Sequence, residues 1–100
     1  MVPDSSTASP LSRRARIPEH VVHGQLPDET VVLNLHTGCN HGLNVTGGRM
    51  LEVLGSSPSV ADAAELLAVE YDQPIAAVRE DVLEVCTALL ERDLLELFDE

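Results

Sequence analysis

Residues 31–55 read VVLNLHTGCNHGLNVTGGRMLEVLG, and the period of the apolar residues changes within this segment. In its first part Val31, Leu33 and Leu35 alternate with Val32, Asn34 and His36. A period of two is typical of a β-strand whose two faces differ. Thr37 and Gly38 supply a turn, and residues 39–45 form the return strand. The segment therefore predicts a β-hairpin over residues 31–45.

Two short helices are predicted after the hairpin. Thr46 is a good N-cap for a first helix over residues 47–54, and Gly55 suits a left-handed residue that ends it. Ser59 and Asp62 have the spacing of a capping box, which opens a second helix. The expected buried stripe of the second helix is Val60, Ala64, Leu67 and, at its end, Tyr71.

The longest helix is predicted near the C-terminus. Pro74 suits a first helical turn, and the helical period of the apolar residues continues to about Arg92. The apolar stripe comprises Ile75, Val78, Val82, Val85, Cys86 and Leu89. The opposite side carries Glu80, Glu84, Thr87 and Glu91. The helix is therefore amphipathic, and we expect residues 94–98 to close the core as a short strand or turn.

The N-terminal residues differ in composition from the rest. Residues 1–12 are rich in Ser, Thr and Pro without apolar periodicity, so we expect residues 1–15 to be a disordered tail. One domain is expected over residues 16–98, beginning with an edge strand at residues 20–23. Short connections make sequential elements neighbours. The order indicates an α+β fold, winged helix-turn-helix-like, with a three-stranded antiparallel sheet followed by three helices.

The charge distribution argues against several functions. The formal net charge is −11, and the six residues counted as Lys or Arg are all arginines. Nucleic-acid binders neutralise phosphates with Lys and Arg, so no nucleic-acid partner is expected. No apolar run approaches the roughly 18 residues of a membrane span, and no signal core is present, so we expect a cytoplasmic chain without a membrane partner. Cys39 and Cys86 are expected to be free thiols in that compartment.

Several segments resemble the PqqD family in their order and spacing. They are Leu43-Asn44-Val45-Thr46-Gly47 before a short apolar helix, Val60-Ala61-Asp62, Glu70-Tyr71, Asp81-Val82 and residues 89–94. The lead-in at residues 16–21 and the hairpin at residues 33–44 are most similar to stand-alone members found in lasso-peptide clusters. The resemblance covers about residues 16–96, and none of its motifs is catalytic.

The resemblance implies a function as well as a fold. PqqD-family proteins bind the leader segment of a ribosomally synthesised precursor peptide as an extra strand and deliver it to a partner enzyme. An edge strand offers unpaired N–H and C=O groups, which an extended peptide satisfies by β-augmentation. We expect a non-catalytic protein that acts with a leader-cleaving protease and, as a further candidate, a cyclase. The expected peptide-binding residues are Cys39, Asn40, His41 and Leu43 of the return strand and Asp81, Val85 and Ala88 of the third helix.

The residues leave the rotation of the third helix open. Its other flank, which would line the groove instead, comprises Arg79, Leu83, Cys86 and Leu90. Acidic groups beside the groove would favour a leader that carries Lys or Arg.

Other functions have weaker support. The nearest approach to a metal-binding set is His20, His23, His36, Cys39 and His41, but the spacing matches no known zinc pattern, and we expect neither a metal nor another cofactor. No paired carboxylates, nucleophile elbow or phosphate-binding glycine loop indicates an independent enzyme. Two alternatives stay open: a winged-helix DNA-binding regulator, and an accessory subunit that stabilises an enzyme without binding its substrate.

Overall fold

The computed structural model describes residues 10–98. Within them a three-stranded antiparallel sheet is followed by three helices, and a separate two-stranded sheet pairs the first strand with the last. In chain order the elements are β1 (Arg14–Arg16), β2 (Val21–Gln25), β3 (Glu29–Asn34), β4 (Asn40–Asn44), α1 (Val45–Ser56), α2 (Val60–Tyr71), α3 (Ile75–Glu91) and β5 (Glu96–Phe98). The predicted α+β class and its winged helix-turn-helix-like order are confirmed.

The predicted hairpin consists of β3 and β4, which pair antiparallel with Thr30 opposite Leu43 and Val32 opposite His41. Its return strand is shorter than expected, because Val45 already belongs to α1. β2 pairs with the other side of β3, so the sheet order is β2-β3-β4. Both β2 and β4 are therefore edge strands of this sheet.

The helix α1 is longer than the sequence predicts. Its N-cap is Asn44 rather than Thr46, because Asn44 Oδ1 accepts a 2.7 Å hydrogen bond from the Gly47 amide. The helix continues through Gly55 and ends before Ser57, which is extended. The predicted left-handed end at Gly55 is wrong.

Ser59 is the N-cap of α2, as predicted, but the second bond of a capping box, from the Ser59 amide to the Asp62 carboxylate, does not form among residues 10–98. Ser59 Oγ accepts a 3.1 Å hydrogen bond from the Asp62 amide and donates a 3.0 Å bond to the Asp62 carboxylate. The predicted stripe is buried at Val60, Ala64 and Leu67. Tyr71, in contrast, is 38% exposed. Residues 69–74 are all exposed, so this end of α2 extends past the core and cannot bury the last residue of its stripe.

The helix α3 has the predicted amphipathic character. Pro74 is its N-cap residue, and the helix ends one residue before the predicted Arg92. Its buried residues are Val78, Val82, Cys86 and Leu89. Ile75, the first residue of the helix, and Val85, at the border of the stripe, are half-buried. None of the helices in the described part of the chain is long and apolar enough to cross a membrane.

The mixed face of β3 points into the core. Val32 and Asn34 are fully buried, whereas Leu35 is 58% exposed. Val31 and Leu33 are only half-buried. The core that the inner face joins includes Leu43, Leu51, Leu54, Leu67, Val82, Leu89 and Leu94. The apolar face of β3 is therefore turned toward the surface.

Asn34 can be buried because its amide is fully hydrogen-bonded. Its Oδ1 accepts hydrogen bonds from the amides of His36 at 2.8 Å and Thr37 at 3.2 Å. Its Nδ2 donates to the carbonyls of Asp93 at 3.1 Å and Arg92 at 3.4 Å. A buried polar group is costly unless its partners are present. These bonds tie the turn before β4 to the chain that follows α3.

Part of the predicted tail belongs to the fold. Pro10–Ser12 form a 3₁₀ helix, and β1 pairs with β5, with the buried Ala15 opposite Leu97. Arg16 Nε donates a 2.8 Å hydrogen bond to the Glu96 carboxylate across this pair. The ordered chain therefore includes residues before the predicted start at residue 16, because β5 supplies a partner for them. Residues 1–9 of the expected tail lie outside the described residues.

Candidate functional site

The outer edge of β4 has no strand partner within residues 10–98. The Asn34 amide donates a 2.9 Å hydrogen bond to the Cys39 carbonyl, which begins the ladder between β3 and β4. Hydrogen-bonded and non-hydrogen-bonded pairs alternate in an antiparallel ladder, so every second residue from Cys39 onward bonds to β3. The backbone groups of Asn40 and Gly42 and the amide of Asn44 therefore point away from the sheet.

The predicted strand residues occupy different positions around this edge. His41 and Leu43 point to the inner face, where His41 is half-buried and Leu43 joins the core. Asn40 is exposed at the start of β4, on the same face as Gly42. Cys39 precedes the strand, and its thiol is exposed. The side chains that the sequence assigned to one binding wall are thus divided among the turn and both faces of the sheet.

A depression separates the end of β4 from α3. It has a volume of about 200 Å³ and is lined by Asn44, Thr46, Gly47, Met50, Asp81, Glu84 and Val85. The flank of α3 that carries Asp81 and Val85 is therefore the one that faces β4. On the alternative flank, Cys86 is buried in the core.

A second depression of about 250 Å³ adjoins the first. It is lined by Thr46, Met50, Tyr71, Gln73, Val78 and Asp81. Thr46, Met50 and Asp81 border both depressions, so the two form one channel from the open edge of β4 to the end of α2. We call this channel the β4–α3 groove.

Two of the three predicted helix residues line the β4–α3 groove. Asp81 and Val85 do so, but Ala88 borders a shallow surface of α3 instead, together with Glu80, Leu83, Glu84, Thr87 and Glu91. The sequence did not identify the residues from the start of α1 and the end of α2 that line the groove, namely Asn44, Thr46, Gly47, Met50, Tyr71 and Gln73. They carry no common pattern, because the groove arises only where β4 and the three helices meet.

The charged side chains that line the β4–α3 groove are carboxylates. In the described range, the carboxylates of Asp81 and Glu84 have neither a hydrogen bond nor an ion pair. Arg49 of α1 is engaged elsewhere, by Glu70 and by Glu52, each at 2.7 Å. The hydrogen bond with Glu70, followed by that with Glu52, raises the pKa of the Arg49 guanidinium above its usual range. The bond to Arg49 in turn lowers the pKa of Glu70.

The histidines do not assemble into one group. His20 and His36 stack with their ring centroids 4.3 Å apart, and His20 Nε2 lies 3.0 Å from Asp93 Oδ2. His23 and His41 instead lie opposite Val32, one on each neighbouring strand. Across residues 10–98, no three His, Cys, Asp or Glu side chains are arranged to hold a metal ion.

The fold and the open edge define a winged helix-turn-helix-like domain with the geometry to accept an extended peptide strand. The chain belongs to the PqqD family, whose sequence pattern, described as coenzyme PQQ synthesis protein D, matches residues 29–95. The resemblance noted in the sequence is thus confirmed.

Two solved structures are similar to this chain. TbiB1 in complex with the TbiA(beta) leader peptide has a TM-score of 0.74 and 28% sequence identity, over 85% of this chain and 99% of that chain. A lasso peptide synthetase B1 complexed with the leader peptide has a TM-score of 0.74 and 24% identity, over 83% of this chain and 98% of that chain. The second likeness bears on the fold alone. No curated protein sequence matches the chain.

Proposed function

We propose that this protein binds the leader segment of a ribosomally synthesised precursor peptide, which pairs as an extra strand with the outer edge of β4. The observation that carries the proposal is the outer edge of β4, which has no strand partner within residues 10–98 and lies beside the β4–α3 groove. Membership of the PqqD family and the likeness to TbiB1, a protein solved with a leader peptide, support it. A lasso-peptide precursor is the proposed class of substrate.

The backbone of β4 supplies affinity in this proposal. Asn40 and Gly42 direct N–H and C=O groups outward, and each hydrogen bond made with the peptide contributes about 1 kcal/mol net. Main-chain pairing does not read sequence, so pockets for alternate side chains supply the specificity. Met50 and Val85 offer apolar walls for those side chains.

The proposed peptide-binding residues act in different ways. Asn40 pairs through its backbone, and Asp81 and Val85 contact peptide side chains in the β4–α3 groove. His41 contacts peptide side chains on the inner face, and Leu43 holds β4 against the core. Cys39 and Ala88, which do not line the β4–α3 groove, contact the peptide at its margin.

The bound leader is then presented to a processing enzyme, and this chain itself performs no chemistry. The outer face of the sheet carries Val22 opposite Leu33, with Val31 beside them. Val22 is exposed and Val31 and Leu33 are half-buried, so this apolar face is open to a protein partner, and a leader strand added to β4 would continue it. We propose that the leader-cleaving protease docks on this outer face of the sheet, and that a cyclase is a further partner. The proposed location of the complex is the cytoplasm.

Two proline substitutions test the proposal. Gly42→Pro removes an outward N–H from β4 without removing a bond to β3. His23→Pro is the matched control, because the His23 N–H points to the outer edge of β2 and makes no bond to β3. Hydrogen bonds join the Leu26 amide to the Glu29 carbonyl and the Leu35 amide to the His20 carbonyl, so the even-numbered residues of β2 bond to β3 and His23 does not.

Calorimetric titration with the leader peptide encoded beside this chain, in the absence of any enzyme, measures the effect. Loss of one hydrogen bond of about 1 kcal/mol weakens binding about fivefold, and the proline ring obstructs the approach of the strand further. We expect at least this loss for Gly42→Pro and wild-type affinity for His23→Pro. Equal affinities of the two variants would contradict the proposed edge.

The same experiments separate the two alternatives. An accessory subunit would bind its enzyme but not the free leader, so titration without the enzyme distinguishes it. A DNA-binding regulator would insert α3 into the major groove, yet the exposed side of that helix carries Glu80, Glu84 and Glu91, which repel phosphates. We expect no gel shift with duplex DNA at low salt.

A further inference from the structure

We propose that Asp81 gives the β4–α3 groove a preference for a leader segment with a Lys or Arg side chain. The inference rests on the proposed function and adds the charge class of one peptide side chain. Its basis is the position of one carboxylate that has no partner among residues 10–98 and lies between apolar walls, next to the strand edge on which the peptide would lie.

Asp81 lies where the two depressions of the β4–α3 groove meet. Met50 lines both depressions, Val85 lines the first and Val78 the second. Lys and Arg bury an aliphatic stem along apolar surface and keep the charged head at a polar site. The groove offers both parts, because Met50 and either valine can cover the stem while Asp81 meets the head.

No cation within the described range neutralises Asp81. Arg79 precedes it by two positions on α3, which places the two side chains about 200° apart around the helix. Arg92 donates to a carbonyl of its own helix at 2.9 Å, and Arg49 is held by two carboxylates. A peptide cation would therefore be the first charge partner of Asp81, and Glu84 on the same rim adds to the attraction.

The expected gain in affinity is modest and depends on salt. Exposed ion pairs raise affinity by about 1.5- to fivefold. The bound peptide excludes part of the water, so the upper half of that range is expected at low salt. At about 1 M salt the screening length falls to about 3 Å, and most of the gain should disappear.

Selection of binders from an mRNA-displayed library of random peptides tests the inference without a known leader. The library is selected against the wild-type protein, Asp81→Asn, Asp81→Arg and Glu91→Gln. Asp81→Asn keeps an acceptor oxygen and removes only the charge, whereas Asp81→Arg reverses it. Glu91→Gln is the matched control, because Glu91 is an exposed carboxylate of α3 that lies outside the β4–α3 groove.

We expect the peptides selected by wild type and by Glu91→Gln to share a set of apolar positions. A Lys or Arg should be enriched at a fixed number of residues from these positions. The Asp81→Asn pool should keep the apolar positions and lose the basic one, and the Asp81→Arg pool should carry Asp or Glu there. Replacing the basic residue of a selected peptide with Gln should weaken binding to wild type about two- to fivefold and leave binding to Asp81→Asn unchanged.

The failures of the two proposals are distinguishable. Pools with an apolar pattern but no basic position, or a basic position that persists with Asp81→Asn, would overturn the role of Asp81 and leave leader binding intact. If the pools show no pattern and their peptides bind Gly42→Pro and wild type with equal affinity, peptide binding at β4 itself is overturned.

Discussion

Replacement of Asn34 with alanine should destabilise the fold and loosen the turn that leads into β4. The Asn34 side chain is fully buried. Its Oδ1 holds the amides of His36 and Thr37, and its Nδ2 holds the carbonyls of Arg92 and Asp93. Alanine removes all of these bonds at once and leaves their backbone partners without the amide.

The size of the effect follows from the bond lengths. Three of the bonds, at 2.8, 3.1 and 3.2 Å, have ordinary hydrogen-bond geometry. At about 1 kcal/mol each, their loss lowers the free energy of unfolding by about 3 kcal/mol. A domain of this size is stabilised by about 5–15 kcal/mol, so the variant should still fold and its loss should be measurable.

Urea unfolding followed by far-UV circular dichroism measures the change. With a slope of about 1–3 kcal/mol per M, the midpoint should fall by about 1–3 M. Asn40→Ala is the control, because the Asn40 side chain is exposed and has no hydrogen bond within the described chain, and it should change stability by less than about 0.5 kcal/mol. A loss below about 1 kcal/mol in Asn34→Ala would refute the claim that this amide ties the turn to the end of α3.

Three further substitutions have distinct expected effects on stability: two are in α1, at Gly48 and Gly55, and one is at the buried Cys86. Gly48→Ala should destabilise the fold by about 1–3 kcal/mol, because the added Cβ overlaps the Thr30 hydroxyl and lies 3.0 Å from the buried Thr30 Cβ. Gly55→Ala in the same helix meets no atom within 4 Å and should stabilise the fold by about 0.5–1 kcal/mol. Thermal unfolding measures both changes. Burial raises the pKa of the Cys86 thiol from about 9 to about 11, so unfolding releases a proton between these pH values and stability should fall as the pH rises through them. Cys86→Val should remove that part of the pH dependence of the free energy of unfolding, measured by urea titration. If the free energies of unfolding of wild type and Cys86→Val differ by the same amount from pH 9 to 11, the raised pKa of Cys86 is contradicted.

Features decided by neighbouring residues were predictable. The N-cap at Ser59, the hairpin of β3 and β4 and the amphipathic α3 all depend on caps and periods that act over a few residues. The N-cap of α1 was not, because Asn44 and Thr46 are both good caps. Asn44 takes that role only because β4 ends there and turns its side chain toward the Gly47 amide.

At the candidate site, the sequence predicted the strand and the helix but not how they face each other. The sequence left two flanks of α3 open. The structure places Asp81 and Val85 in the groove, and no residue of the other flank lines it. The groove residues from the start of α1 and the end of α2 give no local signal.

The sequence by itself determined that a hairpin is followed by three helices, because backbone propensity, capping and apolar period are local properties. Only the tertiary structure decided that the mixed face of β3 is buried, that β1 belongs to the fold and that Asp81 borders the groove. Each of these depends on a partner distant in the chain: Asn34 is buried because Asp93 accepts its hydrogen bond, and β1 is ordered because β5 pairs with it.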